Sequence, residues 1–378
     1  MRIAAEILAR PGLMPVMAAL AAGGHRALLV GGCVRNALLG EPVTDIDIAT
    51  DALPESVIAC AQAAGLKPVP TGIEHGTITV VAAGAPHEVT TFRRDVETHG
   101  RHATVAFSTD VAEDAARRDF TMNALYAEAD GTVLDPLGGL ADLSARRLRF
   151  VGRAEDRIRE DYLRILRFFR FHAWYADPEG GIDPEGLAAC AAQSEGIATL
   201  SRERIGAEMK KLLSAADPAP ALAAMAQAGC LAPALPGADP RALPLLVAFS
   251  PERDPILRLA ALGGEDPVRD LRLSKAEARR LAALREAATG LESPAVLGWR
   301  LGAQDAAGAL ALRAALLEMP PEDAGAEIAR GAAATLPVSA ADYAARGLAG
   351  PALGQALKDA EARWSASNLT ATRDDLLT

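Results

Sequence analysis

Every run able to pair into a sheet lies within the first 140 residues of this 378-residue chain. From about Ala141 onward almost everything is helix-like, rich in Ala and Leu and broken by Pro and Gly. That order predicts an α+β protein with a small mixed β-sheet head and an all-helical remainder. The chain is longer than one hydrophobic core usually organises, so two or more domains are expected. Half of the residues are hydrophobic but only 4% are aromatic, which favours helix-rich packing over a β-sandwich. The boundaries are placed at 1–140, 141–215 and 216–378.

Within the head, residues 1–24 read as one or two amphipathic helices. The apolar run 27–30 reads as a buried strand ending at Gly31-Gly32, followed by a short helix that Gly40 closes. TDIDIAT, 44–50, alternates polar and apolar residues as a half-buried strand does. Pro54 near the start and Gly65 after the end bracket a helix. The β-branched runs 77–83 and 87–93, joined by Gly84-Ala85-Pro86, predict a hairpin. Residues 94–104 are polar without a period, and a mobile loop is expected there. Residues 111–128 read as helix and then strand, and 132–139 as a strand and a turn. In the helical part, Ser274 and Glu277 have the spacing of a capping box.

The segment GGCVRNALLGEPVTDIDIAT, 31–50, concentrates the chemistry. Asp45 and Asp47 stand at i and i+2, which on a strand is one face. Two carboxylates so placed repel each other unless a cation stands between them. Two-metal phosphoryl transfer needs acids in this arrangement. A bare D-x-D is more often a pair of solvated aspartates. Upstream, Gly31 and Gly32 let the backbone approach a ligand closely, and the helix they open favours an anion at its N-terminus. Arg35 sits in the first turn, where a cation is poorly placed for the helix dipole, and a triphosphate there would explain it. The segment is neither a Walker A loop nor a G-x-G-x-x-G fingerprint, and a glycine pair alone is commonly a plain turn.

Charge narrows the partners. The formal net charge of −10 argues against a sequence-blind nucleic-acid coat but leaves room for a local basic surface. Residues 146–170 supply one, with nine arginines against four acids. Such a cluster wants a polyanion. On a continuous helix 160–170, Asp161, Arg164, Arg167 and Arg170 recur at three-residue intervals, and Glu160–Arg164 has the spacing of an ordinary ion pair. Arginine also offers a planar fork able to match a base edge. The four cysteines are scattered, so a zinc site or disulfide framework is not expected and a reducing, cytoplasmic setting fits. Glu6 and Arg10 interrupt the only signal-like stretch, and no apolar run reaches membrane-spanning length. No protein partner is indicated.

Taken in order, these motifs resemble the class II nucleotidyltransferases, the family of tRNA CCA-adding enzymes and bacterial poly(A) polymerases. The carriers are GGCVRNALLG followed by D-x-D, HEVTTFRRD at 87–95, RRDFTMNAL at 117–125, DPLGGLADL at 135–143, EDYLRILRFFR at 160–170 and SRERIGAEMKK at 201–211. They cover about residues 27–213. Asn36 stands where many members have Asp, and Tyr162 where many have Pro.

The resemblance implies a nucleotidyltransferase head over 1–140, a neck carrying the nucleotide template over 141–215, and an RNA-binding body and tail over 216–378. It implies that Asp45 and Asp47 hold two Mg²⁺, with Glu88 a candidate third carboxylate that reads equally well as a surface residue. It places Gly31, Gly32, Arg35 and Arg118 against phosphates. Asp119 and Asn123 fall on sugar or its supports, although Asp119 also reads as a helix cap. Arg101 becomes a transition-state cation on the 94–104 loop. Asp161 and Arg164 would read the base of CTP or ATP, with Arg167 and Arg170 helping to hold the nucleotide. SRERIGAEMKK would pack the neck and approach RNA.

The activity so implied is template-independent addition of CCA to a tRNA 3′ end. The absence of a basic run in the closing ATRDDLLT favours tRNA, which is recognised by form and backbone. Poly(A) polymerase, or an A-only or CC-only enzyme, is the runner-up within the family, and the 94–104 loop leans against the CC-only form. A non-catalytic RNA-binding protein with a decayed head would have lost an acid of D-x-D, and both are present. A metal-dependent phosphohydrolase would want clustered histidines. His25, His75, His87, His99, His102 and His172 are isolated and read as surface or core fillers.

Overall fold

The computed structural model describes residues 1–99 and 102–378, and side chains outside 95–105. The chain divides into two units, 1–200 with 227–233, and 201–226 with 234–378.

Among the described residues the first unit holds nine strands. They are β1 (Ala27–Val30), β2 (Asp47–Thr50), β3 (Lys67–Gly72), β4 (Thr77–Ala82), β5 (Ala85–Thr91), β6 (Arg93–His99), β7 (His102–Phe107), β8 (Tyr126–Ala127) and β9 (Val133–Leu134). Seven form one mixed sheet in the order β3-β4-β5-β2-β1-β8-β9, in which β2 and β5 run parallel and the other neighbours antiparallel. The mixed sheet and the helices that follow match the expected fold class. In β4 the alternation is complete, with Ile78, Val80 and Ala82 buried and their neighbours half-exposed.

The two faces of the sheet have different jobs. Leu29, Ile48 and Val89 are fully buried on the face that packs on helices Leu13–Ala22 and Pro54–Ala63. On the opposite face Leu28, Val30 and Ala49 join Phe92, Ala115, Ala124, Tyr126 and Val151 in a second core. Asp47 and Glu88 continue that face beyond the core, since Val30 pairs with Asp47 and Asp47 with Glu88. The sheet register alone therefore sets two carboxylates side by side at the rim of an apolar layer.

Phe120, Phe150, Phe168 and Phe171 form an aromatic cluster behind this rim, with Phe150 and Phe168 stacked at 5.4 Å. It fixes the helix Leu163–Tyr175, whose Ile165, Leu166, Phe168, Phe169 and Phe171 are buried.

One local expectation is corrected. Residues 93–99 and 102–107 form an antiparallel two-stranded ribbon where a loop was expected. A ribbon satisfies its backbone groups by strand pairing and needs no apolar period to do so, so periodicity gave no sign of it.

The second unit is helical. Its terminal core gathers Ala295, Val296, Tyr343, Ala360 and Trp364, with Trp299 edge-on to Trp364 at 5.1 Å. The capping box at Ser274 and Glu277 opens the helix Lys275–Thr289 as expected. Buried Arg258 donates to the carbonyls of Leu213, Ala215 and Ala216, closing the end of helix Arg202–Leu213.

Among the described residues, no helix is long and apolar enough to cross a membrane.

Candidate active site

The strand β1 passes through Gly31 into the helix Gly32–Leu39, the strand–glycine–helix passage expected from sequence. Gly31 has φ 72° and ψ −121°, a conformation that a side chain resists. A Cβ there would also stand 3.2 Å from Nη1 of Arg118. Arg118 is held for this approach. Its Nη2 donates to Asp114 Oδ2 at 3.0 Å and its Nε to the Tyr126 hydroxyl at 3.1 Å. Asp114 is itself buried and accepts from Arg117 Nε at 2.8 Å and from the Tyr126 hydroxyl at 2.7 Å. Burial opposes ionisation of Asp114, but Arg118 and Arg117 outweigh it and hold the carboxyl at about 2. The result is a fixed cation whose Nη1 edge looks toward the helix opening.

Val30, Asp47, Glu88, Thr90, Arg117 and Arg118 line one cleft. A neighbouring cleft shares Asp47 and Glu88 and adds Asp45. Strand β2 begins at Asp47, so Asp45 precedes it and the two aspartates do not share one strand face as expected. Asp45 instead rides on the connection from helix Gly32–Leu39, where Arg10 donates to the carbonyls of Thr44, at 2.9 Å, and Val43. The physical reason lies in strand pairing, which stops at Val30–Asp47 because β1 turns away at Gly31.

Loss of surrounding water raises the Asp47 pKa. Glu88 and Asp45 push the same way against the pull of Arg118. Neighbouring carboxylates at one cleft form an oxygen donor set that suits a hard divalent cation. Among the described residues, no three acids, histidines or cysteines converge closely enough to hold a metal unaided.

Arg35 has a different destination from the one expected. It is only 6% exposed. Its Nη1 donates to Asn123 Oδ1, its Nη2 to the Tyr175 hydroxyl at 2.8 Å, and its Nε and Nη2 to Asn36 Oδ1 at 3.0 and 2.8 Å. The guanidinium lies 3.9 Å from the centre of the Tyr175 ring. Its donors are turned inward, so Arg35 supports the site rather than facing a phosphate. Asn123 Nδ2 donates to Asp119 Oδ1 at 2.9 Å, and Asp119 Oδ2 accepts from Arg167 Nε at 2.7 Å. Asp119 does not cap a regular α-helix. It bonds the next amide, Phe120 N, at 2.9 Å, ahead of a single 3₁₀ turn, Thr121–Asn123.

The stretch 160–170 is not one helix. Helix Ala154–Glu160 ends, Asp161 is extended at φ −156° and ψ 108°, and a second helix runs Leu163–Tyr175. Asp161 Oδ1 accepts from Leu163 N at 3.1 Å, so the carboxylate that was placed on the helix lies at its opening. Tyr162 has φ −61°, and a side chain on Gly196 would run into its ring. Proline asks for this φ, with an extended residue before it, so the chain keeps the proline geometry with tyrosine. Arg164 forms the ordinary pair with Glu160 at 2.5 Å and donates to the carbonyls of Arg157 and Arg117 at 3.1 and 3.2 Å. Arg170 lies 4.2 Å from the Phe171 ring centre. Arg101 lies outside the described residues.

The structure therefore gathers Arg118, Asp47 and Glu88 around one cleft, with Gly31 against Arg118, and Arg35, Asn123, Asp119 and Arg167 in one polar chain. Sequence reasoning missed Asp114, Tyr126, Tyr175 and Arg10. Asp114 and Tyr126 flank RRDFTMNAL within a few residues and were findable as partners for its arginines. Tyr175 and Arg10 gave no local signal.

Comparison with known proteins follows the same outline. A profile for the Poly A polymerase head domain matches residues 27–149. One described as a probable RNA and SrmB-binding site of polymerase A matches 181–241. The mitochondrial CCA tRNA nucleotidyltransferase 1 of Homo sapiens is 46% identical over 190 residues, 50% of this chain and 44% of that protein. The CCA-adding enzyme of Geobacillus thermodenitrificans is 42% identical over 216 residues, 57% of this chain and 52% of that protein. The chain thus spans about half the length of the curated relatives it matches. The Bacillus stearothermophilus CCA-adding enzyme, solved in complex with CTP, is similar at TM-score 0.77 and 32% identity, covering 94% of this chain and 92% of that one. The Thermotoga maritima CCA-adding enzyme complexed with tRNA has TM-score 0.69 at 17% identity over 100% of this chain and 97% of that one, a likeness of fold.

Proposed function

The chain belongs to the nucleotidyltransferase family of the CCA-adding enzymes and poly(A) polymerases, and from that premise we propose that it adds C, C and A to the 3′ end of tRNA from CTP and ATP. The observation that carries this reading is the cleft lined by Asp47, Glu88 and Arg118, where Arg118 also approaches Gly31 at the opening of the helix. Carboxylates, an anion-seeking helix end and a fixed guanidinium are what a triphosphate and a divalent cation need together.

In the reaction the RNA 3′-oxygen bonds to the α-phosphorus as the bond to the β-phosphate oxygen breaks, and pyrophosphate leaves. The amides opening helix Gly32–Leu39 and the Arg118 Nη1 edge receive the phosphates. Asp119 and Arg167, braced by Asn123 and Arg35, hold the nucleoside. Arg164 and Asp161, fixed at the helix junction, choose the base, and Arg170 adds positive charge beside them. Arg101 remains a transition-state cation candidate. Enzymes of this family generally use a divalent metal. Two Mg²⁺ on Asp45 and Asp47, with remaining ligands from phosphate and water, would supply charge neutralisation and a lowered pKa for the attacking hydroxyl. Glu88, beside Asp47 on the neighbouring strand, is the candidate third carboxylate.

The test is incorporation of labelled CTP and ATP, separately and together, with Mg²⁺. One substrate is a tRNA transcript lacking CCA and the other an unrelated RNA. Two C and one A on the tRNA alone is the expected result, and Asp45→Ala abolishes it without loss of fold. Long A tails on both RNAs would make the chain a poly(A) polymerase. A folded protein that incorporates nothing would overturn the enzymatic reading.

A further inference from the structure

Arg35 sits at a branch point. On one side its Nη1 sets the amide of Asn123, oxygen toward Arg35 and nitrogen toward Asp119, so that the other Asp119 oxygen receives Arg167. On the other side its Nε and Nη2 hold the Asn36 oxygen, which turns the Asn36 amide nitrogen to the Pro42 carbonyl at 2.7 Å, on the connection that carries Asp45. From outside the head motifs the Phe171 ring centre lies 5.0 Å from the Arg35 guanidinium, and one side chain there also accepts a hydrogen bond from it. Tyr175, at the far end of helix Leu163–Tyr175, accepts from Arg35 Nη2 at 2.8 Å and lays its ring 3.9 Å from the guanidinium. It is buried, and Phe171 packs on it at 5.4 Å.

We propose that Tyr175 is a positioning residue of the nucleotide site. It fixes the Arg35 guanidinium, and through it both Arg167 on the nucleotide side and the Asp45 connection on the side of the reacting phosphate. The inference rests on the nucleotidyltransferase reading for what the site binds. It assigns to the Leu163–Tyr175 helix a second task, because its Arg167 and Tyr175 meet the two ends of one buried chain. A shift of this helix on nucleotide binding would be felt at Asp45 through Arg35 and Asn36.

Tyr175→Phe removes the hydroxyl and keeps the ring. In the 378-residue chain it is expected to weaken CTP binding, and to raise KM for CTP and ATP, on the order of tenfold, as loss of a buried hydrogen bond to a charged group does. KM for tRNA stays at the wild-type value. In combination with Arg167→Lys the two losses do not multiply, because both act through one chain. Unchanged nucleotide binding in Tyr175→Phe, a KM for tRNA rising in step, or fully multiplicative losses would overturn the proposal. Binding measured by calorimetry separates this from failure of the functional reading. A wild-type chain that binds CTP but does not incorporate it refutes the activity and still reports on Tyr175. One that binds no CTP refutes both.

Discussion

Asp114 offers the sharpest test of how the site is held together. The residue is 1% exposed, and its carboxylate receives Arg117, Arg118, the Tyr126 hydroxyl and the Arg93 amide, the last at 3.2 Å. The arginines hold it at about 2 against an ordinary 3.8. A carboxyl so depressed contributes about 2 to 3 kcal/mol to stability at neutral pH. Asp114→Asn keeps the shape and removes the charge, leaving two half-buried guanidinium groups without their anion. Because the folded pKa lies below the unfolded one, the contribution is complete above about pH 5 and is lost as the pH falls through 4 toward 2. Calorimetric unfolding of both proteins between pH 7 and pH 2.5 should therefore show a gap that is full at neutrality and narrows below pH 4. A gap of the same size at pH 3 and pH 7 would refute the electrostatic account, and no gap at all would show that the arginines are satisfied without Asp114. Nucleotide incorporation should fall with the variant at every pH, since Arg118 loses the contact that aims it at Gly31.

Other expectations are simpler to check. Phe168→Ala, which empties the ring position stacked on Phe150 and packed against Phe120, should cost about 3 to 5 kcal/mol in urea unfolding. Arg258→Leu leaves the carbonyls of Leu213, Ala215 and Ala216 unpaired and should destabilise on the order of 3 kcal/mol. Arg258→Lys should recover only part of this, lacking the planar fork. Gly196→Ala should destabilise by about 1 to 3 kcal/mol because the new methyl meets the Tyr162 ring, and Tyr162→Pro in the same chain should recover much of the loss.

Local patterns with a single physical solution were legible in the sequence. The apolar run 27–30 followed by two glycines has few conformations other than a buried strand turning into a helix. Gly31 adopts the positive φ that makes the turn possible. The hairpin β4–β5 was legible from its β-branched alternation, although its turn falls at Ala83 and Gly84, both at positive φ, one residue ahead of the segment that proline marked. A right-twisted two-residue hairpin turn demands two such residues, and alanine pays a strain there that sequence reading does not anticipate. The capping box at Ser274 was legible for the same reason as Gly31, since four residues contain the whole interaction.

Destinations of long polar side chains were not legible, and Arg35 shows why. A guanidinium carries five donors, and the acceptors that claim them are chosen by the folded chain, here Asn36 next door, Asn123 from another motif and Tyr175 from 140 positions away. A triphosphate was a sound explanation for a cation on the first turn of a helix, but a tyrosine ring and two amide oxygens satisfy it equally. The same neighbourhood accounts for the departure from the family pattern at position 36. An aspartate there would pair with Arg35 but could not donate to the Pro42 carbonyl, which asparagine reaches at 2.7 Å while its oxygen keeps Arg35. Asparagine thus ties the connection bearing Asp45 to the buried arginine with one side chain. Asn36→Asp should loosen that connection and lower incorporation, while leaving nucleotide binding through Asn123 and Asp119 close to wild type. If binding and incorporation fell together, the two arms leaving Arg35 would not be separable, and Asn36 would belong to the nucleotide side of the site.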